Sequence, residues 1–439
     1  MRHGWMVVLA LGAGCRVTGE FHCDTSDQCR NNGTTGVCIV GSCAFGDPDC
    51  TSGWRYDESA AEAVAGVCLE GAAPADCVAW QPKHFTPCAL SAPLGPLRLS
   101  GSGYIYDTDR GEFIGGATVV HTSIVLPQPD GTSTRIISVA SFTLDPQVRL
   151  RVIGSLPLII ASWGTIQIQG RLDVSSTAGD LRGAGANFAG CMAAKSGASG
   201  VPTKGSGGGG GGGFGGTGGT GGTGDQDNDP GRPGGAGGPS VVMPTAIVHG
   251  GCPGATGGPL GPGATAPATP DSTSAPGVGG GAVQLTARMS ITVPLGGTVE
   301  ANGGGGGGGL GNGEGGGGGG GSGGFVGLEA PTITVAGILA ANGGGGGGGA
   351  SDTVAGGFGG DGRAVISAAA GGANAAPCAG PGATGSASTT LAGTSINPVQ
   401  PAVTCGAGGG GGGAGAISIR ATTFTMTGAT FSPPVTLDP

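Results

Sequence analysis

Residues 299–309 read VEANGGGGGGG and residues 339–349 read LAANGGGGGGG. This near-duplication constrains the fold more than any other feature. A run of seven glycines has no side chain to bury and loses much backbone freedom on ordering. The folding force is therefore expected from the segments that lead into each run, with the glycines hanging from them. The bias is global, since 107 of 439 residues are glycine.

Widening the repeat exposes those segments. VQLTARMSITVPLGGTVEAN (283–302) aligns with VGLEAPTITVAGILAAN (326–342), LIIASWGTIQIQGRLDVSS (158–176) and ISIRATTFTMTGATFSP (417–433). Each reads as a strand, an alanine (Ala161, Ala287, Ala330 or Ala421), a spacer, a second strand, a turn and a third short strand. Such a unit cannot bury its apolar face alone, so neighbours must stack. Ile333 and Val335 would point inward, with Thr332 and Thr334 outward. The expectation is all-β: a right-handed parallel β-helix, a solenoid with long glycine-rich loop insertions, preceded by a small disulfide-rich module.

Loops of any length are tolerated at one corner, because closure entropy rises slowly with length. They are placed at about 177–280, 303–324 and 343–415, inside a domain spanning 91–439. Asn302 and Asn342 are expected to turn left-handed where the glycines depart. Two outcomes stay open for the runs: flexible coils, or a packed sheaf of extended three-residue left-handed helices that only glycine fits. Cys191 and Cys252 bracket one excursion and Cys378 and Cys405 another, which predicts one disulfide across each; free buried thiols are the alternative.

The start, MRHGWMVVLALGAGC, has a positive residue, a short apolar run and small residues before Cys15. It reads as a signal peptide over residues 1–14, too short to span a membrane. The run into Cys15 resembles a bacterial lipobox, with Gly12 where that family carries leucine, and the resemblance implies lipidation of Cys15. Residues 15–90 form a cysteine-rich module. With Cys15 set aside, the 13 cysteines leave an even number, which in an exported chain predicts disulfides among Cys23, Cys29, Cys38, Cys43, Cys50, Cys68, Cys77 and Cys88. The spacing loosely resembles small modules of the Dickkopf N-terminal type. It is closer to a module found behind the lipid cysteine in glycine-rich surface lipoproteins of gliding soil Gram-negative bacteria.

Chemistry is sparse. The net charge is −9 with scattered basic residues, which argues against nucleic-acid binding. G-x-G-x-x-G matches follow from composition and lack a strand–helix setting. Ser322 lies in a G-x-S-x-G string without the strand–turn–helix context of a nucleophile. His22, His84, His121 and His249 stand far apart. Asp225, Asp227 and Asp229 alternate as calcium ligands do but lack the rest of an EF-hand, and GGFGGDGRA (356–364) only approaches the calcium-binding nonapeptide. Neither carries a metal assignment. The outward positions are read as Gln167, Gln169, Gln284, Thr286, Thr332, Thr334, Ser418, Thr425 and Thr427, with charge only at Glu329 and Arg420. Sugar-cleaving β-helices need several charged groups on one face, so no catalytic residue and no cofactor is expected.

Taken whole, the chain resembles exported bacterial β-helices with glycine-rich insertions; the mycobacterial PE-PGRS proteins share only the glycine bias. The resemblance implies a lipid-anchored structural or adhesive protein of the outer membrane or cell surface, without catalysis and attached to the membrane through its lipid. A glycan-binding surface protein is the alternative. A third reading is ice or surface binding through Thr-x-Thr at 332–334 and 425–427, although a regular ladder would need many more copies.

Overall fold

The computed structural model describes the chain apart from residues 1–20, 24–27, 32, 40–41, 48, 51–53, 61–63, 69–76, 92, 94, 102, 115–118, 120, 180, 199, 201–204, 227–230, 242–245, 260–273, 312, 397–403 and 439. Cys15, Asp227, Asp229 and the Cys38 side chain lie outside the described residues. The chain divides into two units, Met1–Gln81 with Thr86–Ala92, and Pro82–Phe85 with Pro93–Pro439.

The first unit is short of aliphatic residues and is stapled instead. A hairpin of β1 (Arg30–Asn31) and β2 (Thr34–Thr35) precedes an antiparallel sheet of β3 (Val37–Ile39), β4 (Ser42–Gly46) and β5 (Trp54–Tyr56). Disulfides join Cys29 to Cys43, Cys50 to Cys68 and Cys77 to Cys88. Cys23 is also disulfide-bonded. The sulfurs of Cys23, Cys29 and Cys43 gather within 4.8 Å, but all three are oxidised, which leaves no thiolate for a metal.

In the second unit the alternating segments become three sheets. The first sheet contains β9 (Thr122–Pro127), β10 (Ser133–Val139), β13 (Leu158–Ser162), β16 (Ala282–Ala287), β19 (Phe325–Glu329), β22 (Ala416–Arg420) and β25 (Val435–Leu437). The second contains β6 (Leu97–Leu99), β11 (Phe142–Leu144), β14 (Thr165–Ile168), β17 (Ser290–Val293), β20 (Thr332–Val335) and β23 (Thr423–Met426). The third contains β7 (Tyr104–Asp107), β8 (Glu112–Ile114), β12 (Arg149–Ile153), β15 (Arg171–Asp173), β18 (Thr298–Glu300), β21 (Ile338–Ala340) and β24 (Thr430–Ser432). Successive strands visit the sheets in turn. Each visit pairs in parallel with the strand before it, and among the described strands of this unit only the end strands β8 and β9 are antiparallel.

Each sheet carries an inward ladder. Ile137, Ile160, Leu285, Leu328 and Ile419 are in register in the first sheet. Leu97, Phe142, Ile166, Ile291 and Ile333 follow in the second, and Tyr104, Leu150, Leu172, Val299 and Leu339 in the third. All three ladders meet in one buried cluster. Each such aliphatic side chain contributes about 1.5–3 kcal/mol by leaving water. The register corrects one detail of the sequence alignment. Ala161 pairs with Thr286, and Ser162 takes the place beside Ala287. A small residue suffices there, and serine's hydroxyl bonds to the Thr165 carbonyl at 3.0 Å.

The glycine runs do not hang free. All three excursions leave after the third sheet, from β15, β18 and β21, and return to the first at β16, β19 and β22. Between those points their backbones bond to one another every third residue. Gly209 and Gly212 donate to the carbonyls of Gly317 and Gly320, both at 2.9 Å. Gly317 and Gly320 in turn donate to Ala407 and Gly410, at 2.8 and 2.9 Å. A period of three is that of the polyproline II helix. Three faces of one run meet three neighbours: a methyl on Gly208 or Gly211 would strike the carbonyls of Gly408 and Gly411, on Gly209 that of Ala255, and on Gly210 that of Ala236. Glycine is required here for close approach, and the packed sheaf is the outcome. The entropy objection is met because both ends of each run are held by strands and the interior backbone groups are paired. Disulfides Cys191–Cys252 and Cys378–Cys405 close two of the excursions.

Asn302 and Asn342 are not left-handed. Among the described residues, the non-glycine positions with positive φ are Gln147, Asn187, Asp225, Glu314 and Ser388. The two asparagines are fully buried and build a polar ladder across the exit corner. The Asn302 backbone N–H donates to Ser175 Oγ at 3.0 Å, the Asn342 N–H to Asn302 Oδ1 at 2.9 Å, and Ser432 Oγ to Asn342 Oδ1 at 2.7 Å. Their amides satisfy buried backbone and side-chain groups that a hydrocarbon would leave unpaired.

Candidate functional site

The third short strands of the first two repeats place charge where the sequence reading put none. RLD of β15 and TVE of β18 alternate, so Leu172 and Val299 face the core while their neighbours face outward. Register then sets Arg151, Asp173 and Glu300 in one row and Arg149, Arg171 and Thr298 in the next. These residues form the floor of a groove of about 470 Å³, whose far wall is Asp361–Val365 from the third excursion. The wall is pinned because Asp361 Oδ1 accepts the N–H groups of Ala178 at 2.6 Å and Gly305 at 2.9 Å. Asn342 Nδ2 holds the carbonyls of Arg363 and Val365 at 2.6 and 2.8 Å.

Both floor carboxylates are almost wholly buried, Asp173 at 1% exposure and Glu300 at 0%. Arg149 donates to Asp173 Oδ2 through Nε at 3.1 Å and through Nη2, Arg151 Nη1 donates to Oδ1 at 3.0 Å, and the Ser175 N–H at 2.9 Å. Burial opposes the Asp173 charge, but Arg151 and these hydrogen bonds outweigh it and hold the carboxyl below its ordinary pKa. Glu300 shifts the other way. Burial and the Asp173 charge push it up, against the bond from Arg171 Nε. Arg171, although partly buried, is itself held more firmly protonated by Glu300.

From β11 to β23 the outward face of the second sheet is neutral and exposed or half-exposed, while Arg98 of β6 continues one of its rows with a charge that pairs with Asp145 at 2.9 Å. Thr165, Ser290, Thr332 and Thr423 form one row, and Gln167, Thr292, Thr334 and Thr425 the next. Of the Thr-x-Thr pairs expected from the sequence, 332–334 stands in this array. The partner of that pair is 423–425, because Thr427 lies past the end of β23. On the first sheet, Gln284, Thr286 and Ser418 are buried. Here Glu329 gathers donors from the Lys83 N–H at 2.9 Å, Gln284 Nε2 at 3.0 Å and Arg420 Nη1 at 2.6 Å. The Lys83 ammonium pairs with Asp438. The outward set is thus redistributed. Of the three sheet faces, the second matches the neutral hydroxyl-and-amide expectation from β11 to β23, and Arg98, Arg149, Arg151, Arg171, Asp173 and Glu300 were missed. The signal was present in the opening repeat itself, which contains Glu300.

The other sequence candidates have structural roles. Ser322 is fully buried and its Oγ accepts the Cys252 N–H at 2.8 Å. His121 meets the rings of Tyr106 and Phe113, and His249 stacks on Phe188 with centroids 4.2 Å apart and leans on Phe214 at 4.7 Å. Asp225 is buried beside the bridge between Gly224 and Arg232. No family model matches the chain, and no curated protein or solved structure matches it either.

Proposed function

We propose that this is an exported, lipid-anchored surface protein with a structural or adhesive role, and that its three sheets are the faces of one right-handed β-helix. The observation that carries the reading is the glycine sheaf. The described glycine runs of three excursions are spent on one hydrogen-bonded body, with two of the excursions closed by disulfides, rather than on a catalytic loop set. The handedness rests on the general right-handedness of parallel strand crossovers. The groove's carboxylates support a non-catalytic role, since Asp173 is held charged by Arg149 and Arg151 and Glu300 is paired with Arg171. Export and anchoring rest on the signal-like start, Cys15 and the oxidised cysteines.

The test is Cys15→Ser, followed by membrane fractionation, labelled fatty-acid incorporation and cell-attachment assays. Loss of the label, release from the membrane fraction and loss of attachment are expected. A variant that stays lipidated and membrane-bound overturns the anchor. The arginine-lined groove favours a second reading, a glycan-binding surface protein.

A further inference from the structure

We infer that the groove on the third sheet binds an acidic polysaccharide through its carboxylate groups. The inference rests on the glycan-binding reading and names its ligand.

Charge balance is the first argument. Four guanidinium groups, of Arg149, Arg151, Arg171 and Arg363, meet three carboxylates, of Asp173, Glu300 and Asp361. The groove therefore keeps a positive excess in a chain of net charge −9. Anions are drawn to such a spot and repelled by much of the surrounding surface.

Donor geometry is the second. Asp173 occupies both Nε and Nη2 of Arg149 but only Nη1 of Arg151. The Nη2 of Arg151 is buried without an acceptor among the described residues, a costly state for a charged donor. Arg363 stands exposed on the opposite wall, in no ion pair among the described residues. Guanidinium forks match the planar carboxylate, which can accept two parallel bonds.

Shape and neighbours select a sugar acid over a small free anion. The groove's volume is in the range of ligand sites. Thr177 and Thr298 add hydroxyls suited to sugar hydroxyls. The wall is fixed by the Asp361 and Asn342 bonds, so little ordering is needed on binding.

The experiment titrates the purified full chain by calorimetry with oligogalacturonate, a sulfated heparin-type oligosaccharide and neutral maltooligosaccharide. Oligogalacturonate is expected to bind, and to bind less well as salt rises. Arg363→Glu, on the exposed wall, should weaken binding about tenfold or more, while the exposed Arg110→Glu should not change it. Unchanged thermal melting of Arg363→Glu would tie the loss to the groove. Three results overturn the inference: no oligogalacturonate binding, equal binding by Arg363→Glu, or binding of the sulfated sugar alone. If only the neutral sugar binds, the acidic assignment falls and the glycan reading survives. If no sugar binds while Cys15 anchoring and cell attachment persist, the glycan reading falls as well and the structural one stands.

Discussion

Asp173 and Glu300 sit opposite each other in register on β15 and β18, and their carboxyl groups shift in opposite directions. One is held charged by two arginines. The other bears the electrostatic cost of lying beside it. Removing the Asp173 charge leaves Arg149 and Arg151 without their shared acceptor. Asp173→Asn should therefore cost about 3–5 kcal/mol, as breaking a buried pair does. Glu300→Gln removes a charge that burial and Asp173 already disfavour, so it should cost under about 2 kcal/mol. Denaturant melts of both variants decide the matter, and equal losses would contradict the asymmetry.

His249 predicts a pH dependence. Burial among Phe188, Phe214 and the start of the sheaf lowers its pKa from the usual 6.5. A depressed histidine contributes stability that is complete above 6.5 and lost as the pH falls through the folded value. Glu300, whose pKa is raised from 4.5, works in the opposite sense. Its contribution is complete below 4.5 and lost as the pH rises through its folded value. Acidification from neutrality should lower stability with a slope of at most about 1.4 kcal/mol per pH unit from this one histidine. Thermal melts across that range should show a shallower fall for His249→Gln than for the native chain.

The packed sheaf reverses what free loops would imply. Hanging glycines could be trimmed at 303–324 without harm. In the structure, Gly317, Gly320 and Gly323 donate to the Ala407, Gly410 and Gly413 carbonyls, so excision strips partners from the neighbouring run. The excision should produce an unfolded or strongly destabilised chain. Gly319→Ala, which would press a methyl into the Gly210 carbonyl, should cost about 1–3 kcal/mol or more as overpacking. Circular dichroism melts check both, and a trimmed chain with native stability would refute the packed sheaf.

Ile333 and Thr332 are neighbours with opposite fates. Ile333 is fully buried and Thr332 is exposed in the row it forms with Thr165, Ser290 and Thr423. Ile333→Asp should cost several kcal/mol by placing a charge among the stacked ladders. Thr332→Lys should change stability by no more than about 0.5 kcal/mol. Chemical denaturation of the pair tests the inward and outward assignment strand by strand.

Some of this was legible in the sequence because it is local. Period-two alternation assigns Ile291, Ile333 and Val335 to one side of their strands whatever surrounds them, and the repeated unit announces stacking. The cysteines around the excursions were legible for the same reason, since each pair brackets one composition-biased stretch. The corner conformation of Asn302 and Asn342 was not, because their backbone N–H groups answer to Ser175 and to Asn302, brought close only by stacking. The fate of the glycines was undetermined too. A lone glycine run is a coil, and it becomes a packed rod only when parallel and antiparallel runs supply acceptors every third residue. The charged groove was hidden for a related reason. Arg171 and Glu300 are 129 residues apart, and no spacing rule within one segment links them. Sequence by itself determined which side each strand shows to the core, because that depends on the chain's own pleat. Tertiary structure alone decided what the outward sides and the glycine runs touch, because those partners are set by how the repeats stack.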